Sequence, residues 1–342
     1  MSSIFIQMAS YHDLEMFETI KDVLSKSSTN NTLHFGVHNC FFEKNPYDES
    51  SMRLELNKLN KEYKLSITHS KFPDNIGVGL GRHIANEFYQ NEDYYMQIDS
   101  HMYFMHKWDE ILIGLLDQAK DFGVHKPVIS SATNAYFVNK DGQREIKDKD
   151  LLKTFLNTDV DVENLVKKEP LKKDLYRLYD NKNENEVSRV YRNCFQLNIK
   201  IEDLYKIFEF IYINGAFVFG DGSLYNIKPN KNIFYFGDEV LYSSRLYTHG
   251  YTVLRCTIPH LCFHLNRSKP GKPGDDWVID RRREPHEDLP NYNTKTSDGD
   301  RILEELFNKN KLELIKILGL RIKDDQSFGS ERDYQEVIDS IL

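Results

Sequence analysis

Tyr94-Tyr95-Met96-Gln97-Ile98-Asp99-Ser100-His101 is the stretch on which the fold turns. An apolar, strand-forming run stops at a carboxylate, and an imidazole follows two positions later. In extended chain, residues two apart face one side, so Asp99 and His101 can reach a single ion while Ser100 points away. One carboxylate with one imidazole suits Mn2+ or a similar borderline cation better than Ca2+. Taken alone, Asp-x-His is also the polar end of an ordinary strand. The surrounding chain has to decide.

Upstream, residues 4–8 read as a short buried strand. Asp13 stands where a helix N-cap belongs, with Glu15 and Glu18 in the first turns. Met16, Ile20, Val23 and Leu24 then repeat at helical spacing to about residue 26. Leu33, Phe35 and Val37 alternate as a second strand, and Leu65 and Ile67 mark a third. Leu80, Ile84 and Phe88 predict the buried stripe of another helix. Beyond His101, Trp108, Ile111, Leu112 and Leu115 begin a further helix, and residues 128–131 a fifth strand. Such alternation predicts an α/β fold with a mostly parallel central sheet flanked by helices. Ligands of such sheets bind beyond the carboxyl ends of the strands, so the loops after residues 8, 37, 70 and 98 should border one cleft.

Residues 139–200 are dominated by Lys, Asp, Glu and Asn in their first fifty positions and read as a charged insert. Ile201, Leu204 and Phe208 suggest a helix, residues 212–219 an apolar run broken by Gly215, and 240–247 a helix. A strand over 251–258 and a short segment ending at His264 follow. Residues 266–298 read as a long loop, and 302–306 and 312–318 as short helices.

A net charge of −8 argues against a nucleic-acid backbone as the main partner, since that binding needs a cationic field. Cys40, Cys194, Cys256 and Cys262 lack paired short spacings, which excludes a zinc knuckle and reads as buried, reduced thiols. No stretch approaches the roughly 20 apolar residues that cross a bilayer, and residues 1–6 read as a strand, not a signal peptide. A cytoplasmic protein with no membrane partner is expected. The abundance of Tyr, Phe, Asn and Lys resembles that of AT-rich genomes, viral ones among them; it says nothing about chemistry.

Three further segments carry chemistry. His264 ends a strand-like segment and supplies the distant third ligand that a metal held by Asp99 and His101 would need. Gly77-Val78-Gly79-Leu80-Gly81-Arg82 suggests a dinucleotide fingerprint, but Arg82 occupies the third glycine's place and the motif follows the third strand instead of the first. Arg82 in the first turns of a helix is better suited to face an anion such as a diphosphate. Asp238 and Glu239 open a helix, where acids commonly just complement the dipole, although carboxylates also grip vicinal hydroxyls. Gly215 marks a place where backbone could approach a ligand, or a glycine in a buried strand.

Residues 4–13, Gly81-Arg82, the block from Tyr95 to Phe104 with Trp108-Asp109, and Gly237-Asp238-Glu239 with residues 244–251 together resemble glycosyltransferase family 60. The resemblance covers roughly residues 4–265, with Gln97-Ile98-Asp99-Ser100-His101-Met102 its most specific part. Where that family usually has Arg, Glu and Trp, this chain has His12, Asp238 and Tyr247.

The resemblance implies a GT-A catalytic domain over 1–265, in which 139–200, a charged insert or an acceptor-side region, has no match to the family; the chain pattern adds a C-terminal loop with short helices over 266–342. It implies transfer of a sugar, GlcNAc as best choice, from a UDP-sugar to a hydroxyl acceptor with retention of configuration, the expected acceptors being hydroxyproline, Ser or Thr on protein. Asp99, His101 and His264 would hold Mn2+ or Mg2+. Ala9, Ser10, Tyr11 and His38 would form the uridine end, with Arg82, Ser100 and Gly215 also on the nucleotide-sugar, and Asp238 and Glu239 would act on the donor sugar. The alternatives are an acceptor that is a hydroxylated nucleic-acid base or a glycan, with Arg281-Arg282-Arg283 the direct support for the base, and an inactive sugar-nucleotide-binding protein.

Overall fold

The computed structural model describes residues 2–28, 30–41, 44–71, 77–131, 133–139, 143–146, 158–166, 207–210, 213–231, 238–256 and 261–265. Most of the charged stretch 139–200 and all of 266–342 lie outside the described residues, with the Arg281–Arg283 run, Gly237 and Cys194 among them.

Strands β1 (Ser2–Tyr11), β2 (Asn31–Phe41), β3 (Tyr63–Lys71) and β4 (Tyr94–Asp99) pair in parallel in the order β3-β2-β1-β4. β1 runs three residues beyond its predicted run, β2 and β3 four residues beyond the last apolar residue of theirs, and β4 ends one residue on, at Asp99. β10 (Phe217–Asp221) enters antiparallel between β4 and β6 (Pro127–Ile129), followed by β11 (Thr252–Cys256), parallel to β6, and β9 (Ile207–Phe210) at the edge. The predicted helix through Phe208 is therefore replaced there by strand; Ile201 and Leu204 lie outside the described residues.

Helices cover both faces. Ile4, Ile6 and Met8 of β1 pack with α1 (Met16–Lys26) and α4 (Trp108–Asp121) in the larger core. Phe5, on the alternate side, packs with Tyr95, Tyr242 and Leu246, the last two from the helix Asp238–Thr248. α2 (Glu49–Asn57) has no counterpart among the predicted elements. Asp48 caps it by accepting from the Ser50 and Ser51 amides. None of the helices among the described residues is long and apolar enough to cross a membrane.

α3 (Val78–Asn86) lies on the β1–β2 face in an orientation the periodicity misjudged. Gly79, Gly81, Arg82, Ala85 and Asn86 are buried, whereas Leu80 and Ile84 are only half-buried. Small residues let the helix sit close: a Cβ on Gly81 would lie 3.2 Å from the Ala9 Cβ. Gln7, buried in β1, donates to the Arg82 carbonyl at 2.8 Å and fixes the helix axially.

A second, four-stranded sheet has the order β5-β12-β7-β8, from β5 (Met102–Phe104), β12 (Cys262–Leu265), β7 (Asn134–Val138) and β8 (Arg144–Glu145). β5 follows β4 after the two-residue bend at Ser100 and His101. Its antiparallel pairing with β12 sets His264 opposite Met102.

Close approach of sheet and helix leaves no room at Gly36 in β2, where an added Cβ would run into the Phe5 ring and lie 2.8 Å from the Ala85 carbonyl. Gly36→Ala should destabilise the fold by about 2 kcal/mol. Thermal denaturation measures it, and a midpoint within one degree of wild type would show that α3 is not pressed against the sheet.

Candidate active site

The site forms where β1 and β4 end. Register places Asp99 beside Ala9, Ala9 beside His38, and His38 beside Thr68. Because the side chains of paired residues share a face, Asp99 and His38 flank Ala9 on the side that α3 covers. His101 comes after a bend, not in continued extended chain, so its direction is set by partners and not by strand alternation. Leu265 N donates to the His101 carbonyl at 3.1 Å, which ties β12 to that bend.

Asp99, His101 and His264 are brought together, each offering one ligand atom within 4.8 Å of the others. The two Nε2 atoms are 2.8 Å apart, and the Asp99 Oδ2 lies 3.3 Å from the His264 Nε2 and 3.9 Å from the His101 Nε2. Asp99 and His264 remain open to solvent, with side chains 27% and 29% exposed, so the triangle faces outward from the core.

Behind Asp99 sits Arg82, only 5% exposed. Its Nη2 donates to the Asp99 Oδ1 at 2.9 Å and to the Gly215 carbonyl at 2.7 Å, and its Nη1 is paired with Asp238. Burial opposes the guanidinium charge, but Asp238, Asp99 and Glu239 outweigh it and keep Arg82 protonated. Burial likewise pushes Asp99 up, but the His264 hydrogen bond and the Arg82 charge hold it far below the usual carboxylate range. Arg82, expected from the sequence to face an anion such as a diphosphate, is buried here and clamps two carboxylates.

The remaining candidates fall around this cluster. Gly215, which breaks the apolar run over 212–219, lies in a turn closed by the Phe217 amide on the Asn214 carbonyl at 3.0 Å. Its carbonyl also accepts from Gln97 Nε2 at 2.8 Å, and a Cβ there would lie 2.9 Å from the Glu239 Oε1, so the missing side chain leaves room for that carboxylate. Asp238 and Glu239 open α6 (Asp238–Thr248).

Ala9 and Tyr11 are half-buried at the end of β1, and Ser10 points to the opposite face. His38 is buried, with its ring nitrogens on Thr68 Oγ1 at 2.9 Å and Ser70 Oγ at 3.1 Å. Burial, then His69, lowers it to about 4, so it stays neutral. Ser100 places its hydroxyl on the Asp13 Oδ2 at 2.8 Å.

Asp13 has a second role that the sequence does not show. The N-cap position of α1 is Glu15, without a side-chain hydrogen bond, and Asp13 meets this helix start through Oδ1, which accepts from the Glu15 amide at 3.0 Å. Its other oxygen is turned inward: Asp13 is 1% exposed, with Oδ2 lying 2.5 Å from the His101 Nδ1. Helix-start acids look alike in sequence whether they face an amide or a neighbouring strand's imidazole, so no local signal separates the two cases.

Burial, then the Asp238 charge, raises Glu239 to about 7 from its ordinary 4.5. An acid with a raised folded-state pKa binds more protons in the folded protein, so stability falls as pH rises from about 4.5 to about 7 and stays lower above. Glu239→Gln should therefore raise the thermal midpoint by about 2 °C at pH 8 and change it little at pH 4.5. Melting curves at the two pH values test this; equal shifts at both would remove the assigned burial.

A sequence model of the family described as Glycosyltransferase (GlcNAc) matches residues 46–284, which include Arg82, Asp99, His101, Gly215, Asp238, Glu239 and His264. No curated protein matches the chain. Among solved structures, S. aureus TarS 1-349 in complex with UDP-GlcNAc is similar at 14% identity and a TM-score of 0.41, over 80% of this chain and 61% of that one. GalNAc-T7 with UDP, GalNAc and Mn2+ is similar at 10% identity and a TM-score of 0.46, over 81% of this chain and 46% of that one. The chain thus spans less than two thirds of the length of either structure. The family match covers well over half of the 342 residues, and the chain belongs to the GlcNAc glycosyltransferase family.

Proposed function

We propose that this glycosyltransferase is a divalent-metal-dependent, retaining enzyme of the GT-A type, akin to family 60. It moves GlcNAc from UDP-GlcNAc to a hydroxyl on protein (hydroxyproline, Ser or Thr) in the cytoplasm. The observation that carries the proposal is the convergence of the Asp99 carboxylate and the His101 and His264 imidazoles beside a guanidinium–carboxylate cluster.

The donor set fits a borderline divalent ion, Mn2+ before Mg2+, because two imidazoles are poor ligands for a hard cation. Charge fits as well. Asp99, Asp238 and Glu239 face one guanidinium, leaving an excess of negative charge that a diphosphate could approach only with a cation between. Such an ion, when bound, supplies charge neutralisation on the departing UDP.

This chain's residues do the rest. Arg82 keeps Asp99 ionised and holds its Oδ1, leaving Oδ2 turned toward the imidazoles. Asp238 is pinned by the same guanidinium, and it and Glu239 are assigned to the hydroxyls of the donor sugar. Ala9, Ser10, Tyr11 and His38 are assigned to the uridine end, and Ser100 and Gly215 support the metal ligand and the carboxylate pair. Retention is compatible with attack on the face that UDP leaves, the phosphate taking the acceptor's proton, and with a covalent intermediate on a carboxylate.

UDP release from UDP-GlcNAc should require Mn2+ and vanish with a chelator. Asp99→Asn should lower it by at least about 100-fold, since losing a first-sphere ligand costs no less than the 10–100-fold seen for outer-sphere partners. Circular dichroism checks that the variant is folded; full activity of a folded Asp99→Asn protein overturns the metal assignment. Wild-type protein that binds UDP-GlcNAc without releasing UDP would be a sugar-nucleotide-binding protein. A hydroxylated peptide should accept the sugar, and transfer to hydroxylated-base DNA instead would reassign the acceptor.

A further inference from the structure

We propose that Asp13 is a positioning residue that locks His101 in the tautomer carrying its proton on Nδ1, so that Nε2 meets the cation as a bare lone pair. The inference rests on the metal assignment above, and it adds a residue that lies outside the family-matched segment 46–284.

The chain is bent to put Asp13 there. β1 ends at Tyr11, and His12 then takes a φ of 45°, a left-handed conformation that non-glycine residues adopt at a cost. The His12 amide donates to the Cys40 carbonyl at 2.7 Å, and the hydroxyl of Tyr47 donates to the Asp13 carbonyl. Those bonds hold Asp13 between the start of α1 and the bend after β4.

Its carboxylate is then filled by donors. Oδ1 accepts from the Glu15 amide at 3.0 Å, and Oδ2 from Ser100 Oγ at 2.8 Å, with His101 Nδ1 at 2.5 Å from the same oxygen. A carboxylate offers only acceptors, so Nδ1 must contribute the proton of that contact. In a neutral imidazole with Nδ1 protonated, Nε2 is a lone pair, and this is the atom that lies 2.8 Å from His264 Nε2 and 3.9 Å from Asp99 Oδ2. The opposite tautomer would set a lone pair against a buried carboxylate and an N–H into the place of the cation. Both changes cost energy.

The test uses the full chain labelled with 15N-histidine, the His101 signals being assigned with His101→Gln. In metal-free wild type, the ring shifts should report Nδ1–H. Asp13→Asn, whose amide can present an N–H to Nδ1, should shift His101 toward Nε2–H and weaken Mn2+ binding, read by electron paramagnetic resonance of free Mn2+, by about 10–100-fold. Asp13→Glu should recover part of the affinity. Wild-type His101 protonated on Nε2 overturns the proposal even if the variant fails to fold. A folded Asp13→Asn protein with wild-type Mn2+ affinity also overturns it and leaves the metal assignment standing. Wild type that binds no Mn2+ takes down the metal assignment and this role together.

Discussion

A single buried guanidinium organises the region. Arg82 belongs to α3, and it reaches Asp99 at the end of β4, the carbonyl of Gly215 in a turn, and Asp238 at the start of α6. Burying that charge without its carboxylate partners would cost several kcal/mol. The helix therefore has to lie where its side chain meets all of them. Gly81 over Ala9 and Gly36 over Phe5 are the places where the backbone was thinned to allow it.

What can be read in the sequence follows from how local each signal is. β4 is legible because its apolar run ends abruptly on a carboxylate, and His264 because a histidine among apolar neighbours at a strand end stands out. α2 is missing from the expected elements although Asp48 precedes two serines whose amides it caps, because its apolar stripe is sparse. The face of α3 is not legible. Leu80 and Ile84 give the stronger apolar stripe, yet a sheet that needs close contact and an arginine in its interior takes the glycine and Arg82 side instead. The 214–217 turn and the true partner of Asp13 depend on chain far away in sequence, which no window contains.

The cluster divides its labour by burial. Arg82 and Asp238 are nearly closed off from water, whereas Asp99 and His264 keep an open edge. A dry inner layer thus backs a wetter outer one. Glu239, raised to about 7 by its surroundings, stands at the boundary between the two layers.

The placement of β10 has a consequence for synthesis. β4 (Tyr94–Asp99) finds one neighbour in β1 at once, but its other edge waits for β10 (Phe217–Asp221), more than a hundred residues later. At the usual pace of translation that interval is on the order of ten seconds, during which a bare apolar strand edge hangs beside a half-built pocket. His264 arrives later still. Asp99, His101 and His264 thus meet only when nearly all of the sheet has been assembled around them.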